Sequence, residues 1–436
     1  MKKIFNSLFF CLGFFCTMNA VALKIGATSP AVYNFVILGI VLLRILEILL
    51  GKSQLKLYKY KYPWYLLFIS ILFSLIAACF VLTNDWINNS LTLTIKFSVL
   101  IFSIILLFDD VKLLNYRKYF FKGLMWAIVI QFIWGIAQLL LWNIAEIQLN
   151  QLVFADLLGS GPQEVDWDSL MGGVIMRMTG LSWEPANFAM VLLVGFVLTD
   201  SKYLRCLFAF GLIFSTSKTG YIVLILLLFI KFIKFCWRFK AKVPIKFKIT
   251  WKKLGMLLIM ICGILYVSVF EKERIEGYIN TFFMMTNFLS EALFSNTNVS
   301  ADIHRSYYTQ LFDLWSQTNL FNILFGYGYF SSGYAYQYII PLASPGFIWN
   351  PESDFITMFV GNGIFGGIVY YFLLFKSYKL CKTEKGKELV LVFAMAGITY
   401  LYLRGTWTLL ILLFLYIKEK PHELVKSTQL DHITQN

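Results

Sequence analysis

Charge is what this chain has least of. Only 14% of its 436 residues are Asp, Glu, Lys or Arg, whereas a soluble globular domain carries about a quarter. Histidine occurs three times, with His422 and His432 in the polar tail, and none of the seven cysteines forms a Cys-x-x-Cys spacing. No metal site and no cofactor are therefore expected. Cys11, Cys16, Cys79, Cys206, Cys236, Cys262 and Cys381 fall in or beside apolar runs or basic segments, while the two longest loops have none. They read as small buried apolar residues rather than disulfides. The nine prolines, among them Pro30, Pro63, Pro185, Pro244 and Pro351, sit in loops or at the start of apolar runs, where a missing amide hydrogen costs nothing. Internal repeats are absent, and the apolar runs are continuous rather than alternating, which excludes a β-barrel.

What remains is hydrophobic. Apolar residues make up 59% of the chain and aromatic ones 18%, and the mean hydropathy is +0.70. A bilayer core of ~30 Å takes about 20 helical residues. The runs cover about 4 to 23, 30 to 50, 64 to 83, 91 to 108, 123 to 145, 185 to 199, 203 to 217, 219 to 235, 254 to 270, 355 to 375, 389 to 403 and 406 to 417. The expected fold is all-α, a polytopic integral membrane helical bundle of about 12 transmembrane helices. Aromatic residues at the ends of the runs form an interfacial belt. Met1-Lys2-Lys3 ahead of the first run has a signal-peptide reading, but the run is long and lacks a small-x-small cleavage site before Lys24, so it reads as a span.

A formal net charge of +14 invites a nucleic-acid partner, and the placement of the charges argues against one. With the N-terminus inside, 29 of the 38 cations fall on one side, nine of them in 231 to 253. The other side holds seven: Lys24, Arg177, Lys218, Lys272, Arg274, Arg305 and Arg404. Acids show the reverse bias, 15 against eight. The positive-inside rule then gives a twelve-span topology with both termini cytoplasmic, the cations facing lipid of the inner leaflet, and the expected location is the cytoplasmic (inner) membrane. Only Arg44, Glu47 and Lys96 lie within spans, and the first two can pair along one helix face.

The chain reads as one membrane domain over residues 1 to 436, with large outer loops at 146 to 184 and 271 to 354 and a polar cytoplasmic tail at 418 to 436. Functional residues are sought in the loops. The first loop is acidic and ends Arg177-Met-Thr-Gly180-Leu-Ser-Trp-Glu184-Pro185-Ala-Asn187. Asp166-Trp-Asp168 matches a metal-binding DxD pattern, a pattern common by chance in acidic loops. In the second loop, His304-Arg305 leads a stretch with Tyr308, Leu311, Phe312 and Trp315 at helical spacing, which reads as a helix on the membrane surface. Further on, Phe325-Gly326-Tyr327-Gly328-Tyr329-Phe330 and Gly333-Tyr-Ala-Tyr336-Gln-Tyr338 can either stack on sugar rings or anchor at the interface. The loop closes on Asn350-Pro-Glu352-Ser353-Asp354, and the span that follows carries Gly361, Gly363, Gly366 and Gly367, spaced for close helix packing.

Three of these patches, in this order, resemble the bacterial O-antigen polymerase and O-antigen ligase superfamily (Wzy-type and WaaL-type) over about residues 175 to 375. They are Arg177-x-x-Gly180 through Glu184-Pro185-x-Asn187, then Ser215-Thr-Ser217-Lys218-Thr-Gly220, then Arg305 with Phe325-Gly326-x-Gly328, Glu352-Ser353 and Gly363-x-x-Gly366. Ligases usually carry His-Asn where Glu352-Ser353 stands, so the chain looks more like the polymerase branch. Lys218 replaces the arginine usual in the second patch.

The resemblance implies a membrane glycosyltransferase acting at the outer leaflet on an undecaprenyl-pyrophosphate-linked oligosaccharide, with another lipid-linked repeat unit as acceptor and a chain-length regulator protein as a further partner. Pyrophosphate release then needs cations, for which Arg177, Lys218 and Arg305 are the candidates. The acceptor hydroxyl needs a base, for which Glu352 comes first, followed by Glu184, Asp354 and His304. Catalytic roles are thus expected for Glu352, Arg177 and Arg305, and substrate contacts for Lys218, Glu184, His304, Tyr327 and Tyr329. An O-antigen ligase acting on lipid A-core and a lipid-linked oligosaccharide flippase remain alternatives. A flippase would scatter charges within its spans and keep its loops short.

Overall fold

The computed structural model describes residues 1–25, 30–52, 55, 58–160, 171–172, 175–215, 217–239, 306–336, 351, 353–403 and 406–417. These residues are almost wholly helical. The exception is a hairpin of two-residue strands, β1 (Met171–Gly172) and β2 (Ile175–Met176), paired antiparallel.

Most apolar runs become helices. They are α1 (Lys2–Phe15), α2 (Val32–Leu49), α3 (Tyr62–Val81), α4 (Asn84–Phe97) continuing through the π-type turn Ser98–Phe102 into α5 (Ser103–Leu107), α6 (Asp110–Ala145), α7 (Pro185–Leu198), α8 (Lys202–Ser215) and α9 (Lys218–Phe239). From residue 306 onward follow the short α10 (Leu311–Gln317), α11 (Leu320–Phe325), α12 (Ser332–Tyr336) and α13 (Asp354–Ile356), then α14 (Gly363–Leu380), α15 (Glu384–Thr399) and α16 (Trp407–Tyr416). Four described segments are long and apolar enough to cross a membrane: Val32–Leu49, Tyr62–Val81, Asn84–Leu107 and Asp110–Ala145. Pro185–Leu198 and Trp407–Tyr416 are shorter apolar helices. The run at 254 to 270 lies outside the described residues.

Two boundaries differ from the sequence reading. Although the first run continues to residue 23, α1 stops at Phe15. Beyond it the backbone leaves the helix to bond elsewhere, Ala20 N–H to the Leu181 carbonyl (3.1 Å) and Leu23 N–H to that of Pro30 (3.0 Å). The inner segment 109 to 122 is not a loop but the first turns of the 36-residue α6. Asp109 caps it, accepting from Lys112 N–H at 2.8 Å, a shift of start that a charged helix face allows. α1 and α6 cross where neither has a side chain: a Cβ on Gly13 would fall 2.0 Å from the Phe120 carbonyl oxygen, and one on Gly123 2.1 Å from that of Phe10.

Buried charge within the spans is paired. Arg44, fully buried, meets Glu47 one turn along α2 and donates to the Leu107 carbonyl at 2.8 Å. Lys112 reaches the same Glu47 at 3.1 Å, and Lys61 reaches Asp110 at 3.0 Å. Of the cysteines, Cys16 and Cys381 are buried, but Cys79 and Cys206 sit on exposed helix faces, so burial holds for only part of the set.

Three helices run side by side and fix the frame of the site. At one end, Lys231 and Lys234 of α9 bind Glu388 and Glu384 of α15 at 3.0 and 2.9 Å. There too, Lys385 binds Asp200 (2.6 Å) and the Leu198 carbonyl (2.7 Å) just past α7. Hydrogen bonds from Lys234 and Lys387 hold the exposed Glu384 carboxyl down at about 2. Three segments that the charge count assigns to the cytoplasm therefore meet at one end. At the opposite ends of the same helices stand Glu184, just before α7, Lys218, the first residue of α9, and Gly397–Thr399, the last residues of α15. A reporter fused at Lys242 should be active only in the cytoplasm and one at Asn298 only outside. Reversed signals would invert the bundle.

Candidate active site

The Arg177 segment is moored by two buried amides, Gln138 of α6 and Asn150 just beyond it. Gln138 accepts from the backbone N–H groups of Thr179 (3.2 Å) and Gly180 (2.9 Å), and it donates to the Thr179 hydroxyl (2.9 Å) and the Gly180 carbonyl (3.3 Å). Asn150 donates to the same hydroxyl (3.1 Å), to the same carbonyl (3.0 Å) and to that of Ser182 (2.7 Å). The Trp134 indole fixes the Asn150 amide from behind at 2.8 Å. Gly180 turns at φ +56°, where a Cβ would strike the Phe188 ring at 2.4 Å.

The other flank of this segment touches the second patch. Met178 N–H donates to the Phe214 carbonyl (3.0 Å) and Arg177 Nε to that of Ser215 (3.4 Å). Arg177, half-buried, therefore stands at the end of α8, beside the turn that starts α9. Ser217 caps that turn, its hydroxyl accepting from Gly220 N–H at 3.2 Å. A Cβ on Gly220 would lie 2.9 Å from that of Ala189, so this glycine lets α9 approach α7. Lys218 is the first residue of α9. The first two patches, some 40 residues apart in sequence, are thus one place in the fold.

Glu184 precedes α7, whose first residue is Pro185. Its exposed carboxylate accepts from Asn187 at 3.1 Å, which links the Glu-Pro-x-Asn residues to one another.

The third patch is a crossing of two backbones. Tyr327 and Gly328 donate their N–H groups to the carbonyls of Val360 (3.2 Å) and Gly361 (2.8 Å). Gly326 and Gly363 have φ of +82° and +68°, and a Cβ on Gly326 would fall 2.1 Å from the Gly361 oxygen. Close packing, the structural reading of these glycines, is what they do here. The residues on the Gly361 side form a π-type turn, Thr357–Gly361, leading into α14.

Ser353 caps α13 by accepting from Ile356 N–H at 3.3 Å and shares a hydrogen bond with the Tyr308 hydroxyl at 2.8 Å. Tyr308 also donates to the Ile398 carbonyl at the end of α15. Asp354, buried, accepts from Leu403 N–H at 2.9 Å and so ties the start of α13 to the turn after α15.

Among the tyrosines, the hydroxyl of Tyr327 bonds Thr318 at 2.7 Å and that of Tyr336 donates to the Tyr307 carbonyl at 2.6 Å. Tyr329 is only 3% exposed. Of the stripe expected at Tyr308, Leu311, Phe312 and Trp315, Leu311 is buried with Tyr307 and Leu314 against Ile356 and Val360, Tyr308 and Trp315 pack against the same cluster, and Phe312 departs from it at 73% exposed. Glu352, Arg305, His304, Asp166 and Asp168 lie outside the described residues. Sequence reading missed Gln138 and Asn150, because it searched for charge. The signal was an amide pair, Gln131 and Gln138, spaced for one helix face within an apolar run.

A family model described as O-antigen ligase matches residues 205–371. The match takes in Ser215–Gly220 and the whole third patch, and it begins after Arg177 and Glu184. No curated protein matches the chain. The chain is therefore similar to the O-antigen ligase superfamily, whose members have ligase- or polymerase-like membrane functions in lipopolysaccharide biosynthesis. Its long apolar helices are those of a multi-pass membrane protein.

Proposed function

We propose that the protein is a polysaccharide polymerase that transfers an undecaprenyl-pyrophosphate-linked glycan onto another lipid-linked repeat unit at the outer face of the cytoplasmic membrane. The observation that carries this reading is the meeting of Arg177 with the Ser215–Gly220 turn, at the bundle end opposite the paired lysines. A guanidinium at the mouth of the bundle suits a pyrophosphate leaving group.

In this mechanism the acceptor hydroxyl oxygen attacks the anomeric carbon of the donor sugar. The carbon–oxygen bond to pyrophosphate breaks, and its electron pair leaves with the phosphate. Arg177, Lys218 and Arg305 stabilise the developing charge. The acceptor proton passes to a carboxylate, for which Glu352 is the candidate. Asp354, held by the Leu403 amide, keeps the Ser353 turn in place.

Ligation to a lipid A-core acceptor is the second reading, favoured by the description of the matching family. Cells lacking the protein separate the two. Loss of polymerisation should leave glycans one repeat unit long on the surface. Long chains accumulating on the polyprenyl carrier would mean ligation instead, and units trapped on the cytoplasmic side would mean a flippase.

A further inference from the structure

We infer that Gln138 and Asn150 are positioning residues for the Arg177 guanidinium, a role that rests on the reading of Arg177 as a pyrophosphate ligand. Both side chains are fully buried, and a buried amide is costly unless its donors and acceptors are used. Here the hydrogen bonds converge on one short turn. Gln138 grips Thr179 and Gly180 through four hydrogen bonds, and Asn150 holds the same hydroxyl and the same carbonyl together with Ser182.

The grip begins two residues after Arg177, while Met178 is fixed from the other side by the Phe214 carbonyl. The backbone that carries the guanidinium is therefore held between α6 and the end of α8, and little freedom is left except in the side chain itself. Amides suit this task for a further reason. A carboxylate at either position would bring a negative charge to compete with phosphate for the nearby guanidinium, whereas an amide supplies donors and acceptors without net charge. Gln131, on the same helix and equally buried, donates instead to Thr17 at 2.8 Å and has no side-chain bond to the segment.

The test uses full-length protein reconstituted in vesicles, with lipid-linked repeat units extracted from cells that lack it. Turnover is measured for Gln138→Met and Asn150→Leu, each with Arg177 intact and in the Arg177→Ala background. With Arg177 present, each should lower kcat on the order of 10²-fold, the cost of displacing a catalytic group by about an ångström. In the Arg177→Ala background neither should lower it further, because residues acting through one group are not additive. Gln131→Met should keep the parental rate.

An equal fall in both backgrounds, or an equal fall with Gln131→Met, would show that the amides serve the fold alone and would overturn the inference. So would parental rates in the Gln138 and Asn150 variants alongside a dead Arg177→Ala. A parental rate for Arg177→Ala itself would instead remove the functional reading of Arg177 beneath it.

Discussion

Replacing Arg177 by either Lys or Ala should nearly abolish the polymer ladder at unchanged protein level. A lysine keeps the charge but loses the planar fork that grips two phosphate oxygens. Removing one preorganised donor to a developing oxyanion costs ~3 kcal/mol, on the order of a hundredfold in rate. The Nε of Arg177 donates to the Ser215 carbonyl, which ties the guanidinium to the turn of the second patch. Arg305 should behave in the same way. Lys218, at the first position of α9, should tolerate Arg but not Ala, because a point charge at a helix start needs no fixed plane. A full ladder from Arg177→Ala and Arg305→Ala, with each variant present in the membrane, would reduce these arginines to pairing partners of the acidic loop.

Gly326→Ala should cost the fold rather than the chemistry. The added carbon would overlap the Gly361 carbonyl oxygen at 2.1 Å, its carbon at 2.4 Å and the Gly363 nitrogen at 2.5 Å, all of them backbone atoms unable to swing aside. The residue also sits at φ +82°, a region that alanine adopts only with strain. Together these place the substitution among the severe cases, at about 4 kcal/mol or more. The expected result is loss of protein from the membrane, or a large drop in melting temperature in detergent. Gly39→Ala is the comparison, because nothing lies within 4 Å of a Cβ there and helical Ala is favoured over Gly. Equal stability of the two variants would mean that the crossing at Gly326 opens without cost.

Hydropathy made the helices legible because lipid and protein interior both select the same apolar residues. Runs at 30 to 50, 64 to 83 and 185 to 199 end within two residues of α2, α3 and α7. The pattern fails where the chain is apolar but not helical, as after Phe15, where Thr17 and Ala20 bond α6 and the Arg177 segment. It fails again where a helix is charged, as in the first turns of α6. The same limit applies to the site. Arg177, the Ser215–Gly220 turn and the glycine pairs stand out in sequence, since each is rare in its surroundings. Gln138 and Asn150 do not, for an amide carries no charge, and its value here comes from partners 29 to 42 positions away.

α6 also works as a ruler. Its first turns carry Arg117, Lys118 and Lys122, residue types that settle at an anionic headgroup surface. From Lys122 to Gln138 the helix rises about 24 Å, somewhat less than the ~30 Å of a hydrocarbon core. In the topology proposed above, the turn that holds Arg177 hangs from the inner leaflet, a little below the level of the outer headgroups. In a thicker bilayer, a lipid-borne pyrophosphate would have to sink deeper to reach it. On that reading the acyl-chain length of the host membrane becomes part of the geometry of the proposed site, read out along a single unbroken helix.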